Sequence, residues 1–301
     1  GADRQFVTRA AMTSMRGLSL AAVVWAGAWW GKASARVERE KTPSPCLEKY
    51  DAGDVSAWVA QHLHGARDGQ EQPQMLLMLG GSGAGKGSFL SRWREHEESD
   101  QSSASAFARI GDFVAHGLDE YLGYIPEYQK SVTDPEHVYK DAADSCYSGA
   151  AIPAAKEAGS EIVKRKIHLI YEETGKNLDR ILKRVLPPFV DAGFRVTVVL
   201  IDNLPEIAIA RAAGRFQSTG RYASDEYIRG TFGKCFESYE ALSRLDTVSE
   251  AVYCDNSGSE MRCWADVLRR GAALVPQGLV LPGRPEYMHL STARRAPSTE
   301  L

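Results

Sequence analysis

Gly80-Gly81-Ser82-Gly83-Ala84-Gly85-Lys86-Gly87-Ser88 follows directly on the apolar run Met75-Leu76-Leu77-Met78-Leu79. Residues of these types, in this order, can wrap an anion. Glycines accept positive φ and let successive N–H groups close on a phosphate. A helix opening at the lysine turns its positive end toward the same anion. Lys86 adds a point charge suited to β- and γ-phosphates, and Ser88, ahead of Ser82, offers a hydroxyl to Mg²⁺. The strict pattern places Ser or Thr directly after the lysine; here Gly87 stands there and Ser88 comes one place later. A bland surface turn needs neither the lysine nor a buried-looking strand before it. The segment reads as a phosphate-binding P-loop for a nucleoside triphosphate, with Gly80, Gly81, Ser82, Gly83, Ala84, Gly85, Lys86, Gly87 and Ser88 around ATP and Mg²⁺. A kinase, a GTPase and an ATPase motor all remain compatible with that loop.

Phosphoryl transfer also needs a base and further positive charge. Asp119, where a second strand is expected to end beside the P-loop, can take a proton from a substrate hydroxyl. Asp112, earlier in the same segment, is the rival and ranks below it. Glu172, Glu173 and Thr174 close a third strand, and either carboxylate there could hold Mg²⁺ through water. Strand alternation leaves open which of the two faces the site. Arg211 and Arg215 lie four apart on one helix face, and Arg221 follows in Gln217-Ser218-Thr219-Gly220-Arg221. Guanidinium forks match a transferring phosphoryl group. His116 and His168 read as structural histidines, and no His/Cys spacing suggests a metal site.

These groups need a frame. Strands are expected at 75–79, 107–118, 167–171, 195–201 and 251–254. Helices are expected over 47–67, 85–96, within 136–158 with breaks at Gly149 and Pro153, at 158–165, and over 177–192 with a bend at Pro187-Pro188. Asn203 is placed to cap a further helix whose first turn holds Pro205. Strands alternating with helices, several as unbroken apolar runs, predict an α/β fold: a mainly parallel sheet covered by helices on both faces. Its functional groups then gather at the strands' C-terminal ends, where Asp119, Glu172, Glu173, Thr174 and Asn256 fall.

The 301 residues are 44% hydrophobic and 25% charged, enough for one sizeable core. A net charge of −3 gives no general case for nucleic acid or an anionic membrane as partner. Five scattered cysteines without a CxxC pair argue against a metal ribbon and a disulfide framework, and suit a reducing compartment. The N-terminus pulls the other way. Arg4, Arg9 and Arg16 precede an apolar stretch from Leu18 to Trp30, and Ala33-Ser34-Ala35 follows. These are the parts of a signal or organelle-targeting peptide, preferred here over a short membrane anchor through residues 18–30 and over a helix packed on the domain. The compartment stays open between a targeted one that contains ATP and the cytoplasm.

Four stretches resemble the zeta-toxin family of P-loop kinases: Leu79 through Ser88; Leu118-Asp119-Glu120-Tyr121-Leu122-Gly123-Tyr124-Ile125-Pro126-Glu127-Tyr128; Ile170-Tyr171-Glu172-Glu173-Thr174-Gly175-Lys176-Asn177; and Arg211 through Arg221, ending Thr-Gly-Arg. The second is the most discriminating, with an Asp seven residues before Pro-Glu-Tyr. The resemblance spans residues 75–256. It implies Lys86 as the phosphate-binding lysine and Asp119 as the general base. It implies Thr174, with Glu172 or Glu173, on the substrate and Mg²⁺ side, and Arg215 and Arg221 as mobile arginines on the ATP phosphates. Asn256 is similar to a family segment near the adenine. Family members with known activity phosphorylate the 3′-hydroxyl of UDP-N-acetylglucosamine's sugar. The Gly87 insertion and the N-terminal apolar segment depart from the family pattern, and no antitoxin partner can be inferred.

The sequence therefore predicts a targeting-like segment and linker over 1–42, a P-loop kinase domain over 43–290 and a disordered tail over 291–301. The expected reaction is ATP- and Mg²⁺-dependent phosphorylation of an alcohol group on a small molecule, a sugar nucleotide such as UDP-N-acetylglucosamine. The rivals are a nucleotide or polynucleotide 5′-kinase, weakened by the lack of a basic stripe, and a non-catalytic ATP-binding module tethered by its N-terminus.

Overall fold

A computed structural model describes residues 46–47, 49–99, 109–133, 146–219, 223–268 and 274–281. The targeting-like segment, Arg221 and the tail lie outside them. In chain order the elements that position the site are α1 (Ala52–His62), β1 (Gln74–Leu79), α2 (Lys86–Ser99), β2 (Val114–His116), α3 (Leu118–Leu122) and α4 (Pro126–Thr133). There follow α5 (Ile152–Arg165), β3 (Leu169–Glu173), α6 (Leu178–Arg180), α7 (Leu186–Asp191) and β4 (Arg195–Asp202). The series closes with α8 (Pro205–Thr219), α9 (Asp225–Ser243), β5 (Val248–Asp255), β6 (Arg262–Leu268) and β7 (Val280–Leu281).

The strands form one sheet in the order β2-β3-β1-β4-β5-β6-β7. Pairing is parallel from β2 through β5, antiparallel between β5 and β6, and parallel between β6 and β7. Every residue of β1 is buried, because this strand lies between β3 and β4 and under helices on both sides. Period-two alternation divides its side chains. Met75, Leu77 and Leu79 join a core with Val59 of α1, Ala158 and Ile162 of α5, Phe189 of α7 and Tyr239 of α9. Leu76 and Met78 join the opposite core with Phe89, Leu90 and Trp93 of α2. A fully buried Leu or Met contributes about 1.5–3 kcal/mol, so two-sided burial holds the strand that presents the glycine loop. The chain leaves β1 for β2 and β3 on one side, then crosses to β4 and β5 on the other. Such a switch in strand order opens a crevice at the strands' carboxyl ends.

The α/β architecture is the expected one, but several elements differ from the sequence reading. The second strand is three residues long. Asp112 folds the chain before it into a single 3₁₀ turn, accepting from the Arg109 N–H at 3.2 Å, and Gly117 ends it. Asp119 therefore sits in the first turn of α3, not at a strand end, and β3 separates β2 from β1. Gly149 and Pro153 do not break their helix: Tyr147–Ala151 forms a π turn, closed by the Ile152 N–H on the Tyr147 carbonyl, that runs directly into α5, and its wider circuit accommodates Pro153, which has no N–H to give. Pro187 and Pro188 likewise start α7 after a second π turn, Ile181–Val185. The sequence reading had no β6 or β7.

The cysteines correct the expectation most directly. Cys46 pairs with Cys146 across 100 residues, and Cys254 with Cys263 across the β5–β6 ladder; Cys235 is a buried thiol. Among the described residues no helix is long and apolar enough to cross a membrane.

Both histidines are structural. His168 Nδ1 accepts from the Gln74 N–H at 2.9 Å. His116 Nδ1 lies 2.8 Å from the Tyr121 hydroxyl, and burial, with the nearby His62 adding to it, pushes its pKa down to about 3. A depressed imidazole favours the fold only while neutral. That contribution is present above the unfolded value near 6.5 and is lost as pH falls toward 3. We expect urea unfolding to show a loss on the order of 4 kcal/mol across that window, and His116→Leu to remove this component of the pH dependence while lowering stability at pH 7. An unchanged slope in the variant would reject the assignment.

Candidate active site

The P-loop takes its shape from contacts that only glycine allows. Gly83 has φ 82° and Gly85 φ 104°, the left-handed region that side chains avoid. A Cβ on Gly83 would stand 2.3 Å from the Ala208 carbonyl oxygen, and one on Gly85 2.2 Å from the Asn256 amide nitrogen. Gly83→Ala should thus destabilise the protein by roughly 3 kcal/mol through strain and clash with backbone and weaken ATP binding about tenfold or more. Thermal melts with and without ATP measure both; a wild-type ATP-induced shift would contradict it.

Side chains from three elements brace the loop from outside. The Asn203 amide donates to the Gly83 carbonyl at 3.2 Å, and the Asn256 amide to the Ala84 carbonyl at 2.8 Å. Arg211 donates to the Ala84 carbonyl at 3.4 Å and the Asn256 carbonyl at 3.2 Å. Arg215 reaches the Ser82 hydroxyl at 2.7 Å. The shared face of Arg211 and Arg215 on α8 is thus turned onto the loop. Asn203 was expected to cap α8; its amide goes to Gly83 instead, and its Oδ1 has no hydrogen-bond partner among the described residues. Sequence reasoning gave Asn203 no part in the loop, and passed over Asp202, which accepts from the Tyr253 hydroxyl at 3.0 Å and from the Asn256 N–H at 2.7 Å. Their position at the end of the strand beside β1 was the available signal.

Lys86 opens α2. Its ammonium donates to the Gly80 carbonyl at 2.9 Å and stands 3.8 Å from the Glu172 carboxylate. That contact separates the two glutamates, since neighbours on a strand point to opposite faces. Glu172 turns toward Lys86, whereas Glu173 pairs with Arg180 of α6. Thr174 and Gly175 are pinned to α9: the Cys235 thiol donates to the Thr174 carbonyl, and the Ser238 hydroxyl donates to the Gly175 carbonyl at 2.5 Å. The Thr174 hydroxyl accepts from the Lys176 N–H at 3.4 Å. Gly87 is exposed, and a Cβ there would meet nothing within 4 Å, so packing does not require glycine at the usual hydroxyl position. Ser88 is also exposed in that first turn.

The segment bearing Asp119 reaches the same crevice from the β2 side. A Cβ on Gly117, where α3 starts, would lie 3.5 Å from the Glu172 carbonyl oxygen. Asp119 accepts a hydrogen bond from the Tyr147 hydroxyl. Asp112 is engaged elsewhere, with Arg67 at 2.9 Å and in its own 3₁₀ turn.

This arrangement agrees with the comparison to known families: the zeta toxin family model matches residues 60–265. The chain belongs to the zeta toxin family. The zeta toxin fold recurs in solved structures of low identity. One comes from the PezAT chromosomal toxin-antitoxin system of Streptococcus pneumoniae (16% identity, 82% of this chain and 96% of that one, TM-score 0.53). Another is AvrRxo1-ORF1:-ORF2 with ATP (10% identity, 83% of this chain and 71% of that one, TM-score 0.53). No curated protein matches in sequence. Zeta toxin membership makes the chain a P-loop kinase, an ATP-dependent phosphotransferase.

Proposed function

We propose that the chain transfers the γ-phosphate of ATP to an alcohol group of a small molecule, with a sugar nucleotide such as UDP-N-acetylglucosamine as acceptor. The observation that carries this reading is the meeting of Lys86, Glu172 and the start of the Asp119 segment at the carboxyl ends of β1 and β3. A site that only held ATP would need no carboxylate supplied from the far side of β3.

In this reading the Asp119 carboxylate accepts the proton of the acceptor hydroxyl, whose oxygen attacks the γ-phosphorus while the bond to the β-phosphate oxygen breaks and ADP leaves. Loop N–H groups and the Lys86 ammonium balance the charge on the phosphate oxygens, and the Arg215 guanidinium, reaching Ser82 from α8, lies against the same loop to add to it. Arg221 is assigned to that role by resemblance alone. Mg²⁺ takes oxygen ligands, and the Glu172 carboxylate and Ser88 hydroxyl supply that donor chemistry at the loop's rim; the ion would offset the negative charge of the phosphates. Arg211 and Asn256 serve ATP indirectly here, by holding the loop carbonyls.

The scattered cysteines suit a reducing compartment by spacing alone; the two disulfides instead favour the targeted compartment of the two left open over the cytoplasm. The toxin-antitoxin origin of one solved relative supports a restraining protein partner for this chain as well.

The test is to incubate the full chain with ATP and Mg²⁺, offering UDP-N-acetylglucosamine and a panel of sugars and nucleotides, and follow product by mass. A phosphorylated sugar nucleotide is expected. Phosphate found only on a nucleotide 5′-hydroxyl, or ATP bound without transfer, would overturn the proposal.

A further inference from the structure

Tyr147 has no part in the glycine loop, the strand ends or the arginine helix, yet its hydroxyl donates to the Asp119 carboxylate. The two residues come from segments 28 apart in sequence, the π turn before α5 and the first turn of α3. We propose that Tyr147 is the positioning residue of the catalytic base: its hydroxyl fixes the orientation in which the Asp119 carboxylate meets the acceptor hydroxyl. This inference rests on the reading of Asp119 as the base.

Three features make the tyrosine a rigid support. Its π turn is anchored by the buried residues Gly149, Ala150 and Ala151. Cys146, the residue directly before it, is itself wholly buried and bonded to Cys46. The chain that carries Cys46 is held again a few residues later, where the Tyr50 hydroxyl donates to Glu127 of α4 at 2.9 Å. A π turn adds one residue to the helical circuit and displaces the side chains before it from their α-helical directions. Here that displacement comes where the helix carries Tyr147 against α3. Tyrosine suits the role, because its ring gives the hydroxyl few rotamers and its donor is neutral. A cation there would pair with the carboxylate and lower its basicity, whereas a neutral donor orients it at less cost to its basicity.

Lost orientation lowers the rate of the chemical step more than it alters ground-state binding. Tyr147→Phe removes one hydroxyl and keeps the ring. Purified full-chain wild type, Tyr147→Phe, Asp119→Asn and the double variant are assayed for ATP consumption with UDP-N-acetylglucosamine and with water as acceptor, and their thermal midpoints are compared. Tyr147→Phe is expected to lower kcat roughly tenfold with the KM for ATP and the thermal midpoint near wild type. In the Asp119→Asn background the same change is expected to do nothing further, because a positioning residue has no effect once the base is gone. Wild-type kcat in Tyr147→Phe, or a loss that persists at full size in the Asp119→Asn background, would overturn the proposal. Wild-type turnover in Asp119→Asn would instead overturn the base assignment, and the proposal with it.

Discussion

Asp119→Asn is expected to lower kcat by about three orders of magnitude, within the roughly 10²–10⁴ that a positioned general base contributes. Asparagine keeps the size of the side chain and an oxygen that can accept from Tyr147, so the helix start and its contacts survive. It cannot take up the acceptor's proton at neutral pH. The KM for ATP should barely change, because Asp119 belongs to α3, beyond β3, while the glycine loop follows β1. Steady-state kinetics with the identified acceptor measures both numbers. Full turnover in a correctly folded variant would move the role of base to another carboxylate, and Glu172, beside Lys86, would be the first to examine.

Lys86→Ala carries the second large effect, a fall in kcat/KM for ATP of about 10³, equal to about 4 kcal/mol of lost transition-state stabilisation. The ammonium sits at the start of α2, between the Gly80 carbonyl and the Glu172 carboxylate. Without it, Glu172 would face the phosphates uncompensated, so alanine removes a favourable charge and exposes an unfavourable one. Lys86→Arg should restore little, since a planar fork does not replace a compact ammonium in a loop this tight. Stability should change little, because Lys86 forms no part of either hydrophobic core. ATP titration and initial-rate kinetics on both variants provide the measurement; an alanine variant within tenfold of wild type would show that the arginines carry the charge instead.

Much of this architecture could be read along the chain because its signals are local. Five apolar residues followed by a glycine run and a lysine define β1, the loop and α2 without reference to anything distant. The unbroken run Val196–Ile201 is a buried strand on its own terms. Glu172 near a strand end and Arg211 with Arg215 on one helix face were placed by motif and helical spacing, whereas Asp119, expected at a strand end, lies in the first turn of α3. The short β2 and the continuity of α5 were missed because local rules were overruled. Asp112 folds a turn where apolar residues suggested strand, and two π turns absorb a glycine and prolines that suggested breaks. Asn256-Ser257-Gly258-Ser259 marks the turn after β5, but β6 carries Arg262 and Asp266 among its apolar residues and so shows no unbroken apolar run, and its pairing depends on β5 already lying in the sheet.

What the sequence determined by itself was the chemistry available: a glycine loop of the phosphate-binding kind, carboxylates that can accept a proton, and cations to balance charge, carried by alternating strands and helices. Those follow from residue type and spacing, which act over a few positions. The tertiary structure decided which of these groups meet. Strand pleating set against Lys86 chose Glu172 over Glu173. Strand order put β3 between the Asp119 segment and the glycine loop. Packing brought Asn203, Asn256 and Arg211 under the loop's carbonyls, and Tyr147 onto Asp119. Cys46 found Cys146 only because folding closed the 100 residues between them. Such contacts depend on the register and crossing of distant segments, and no local pattern records them.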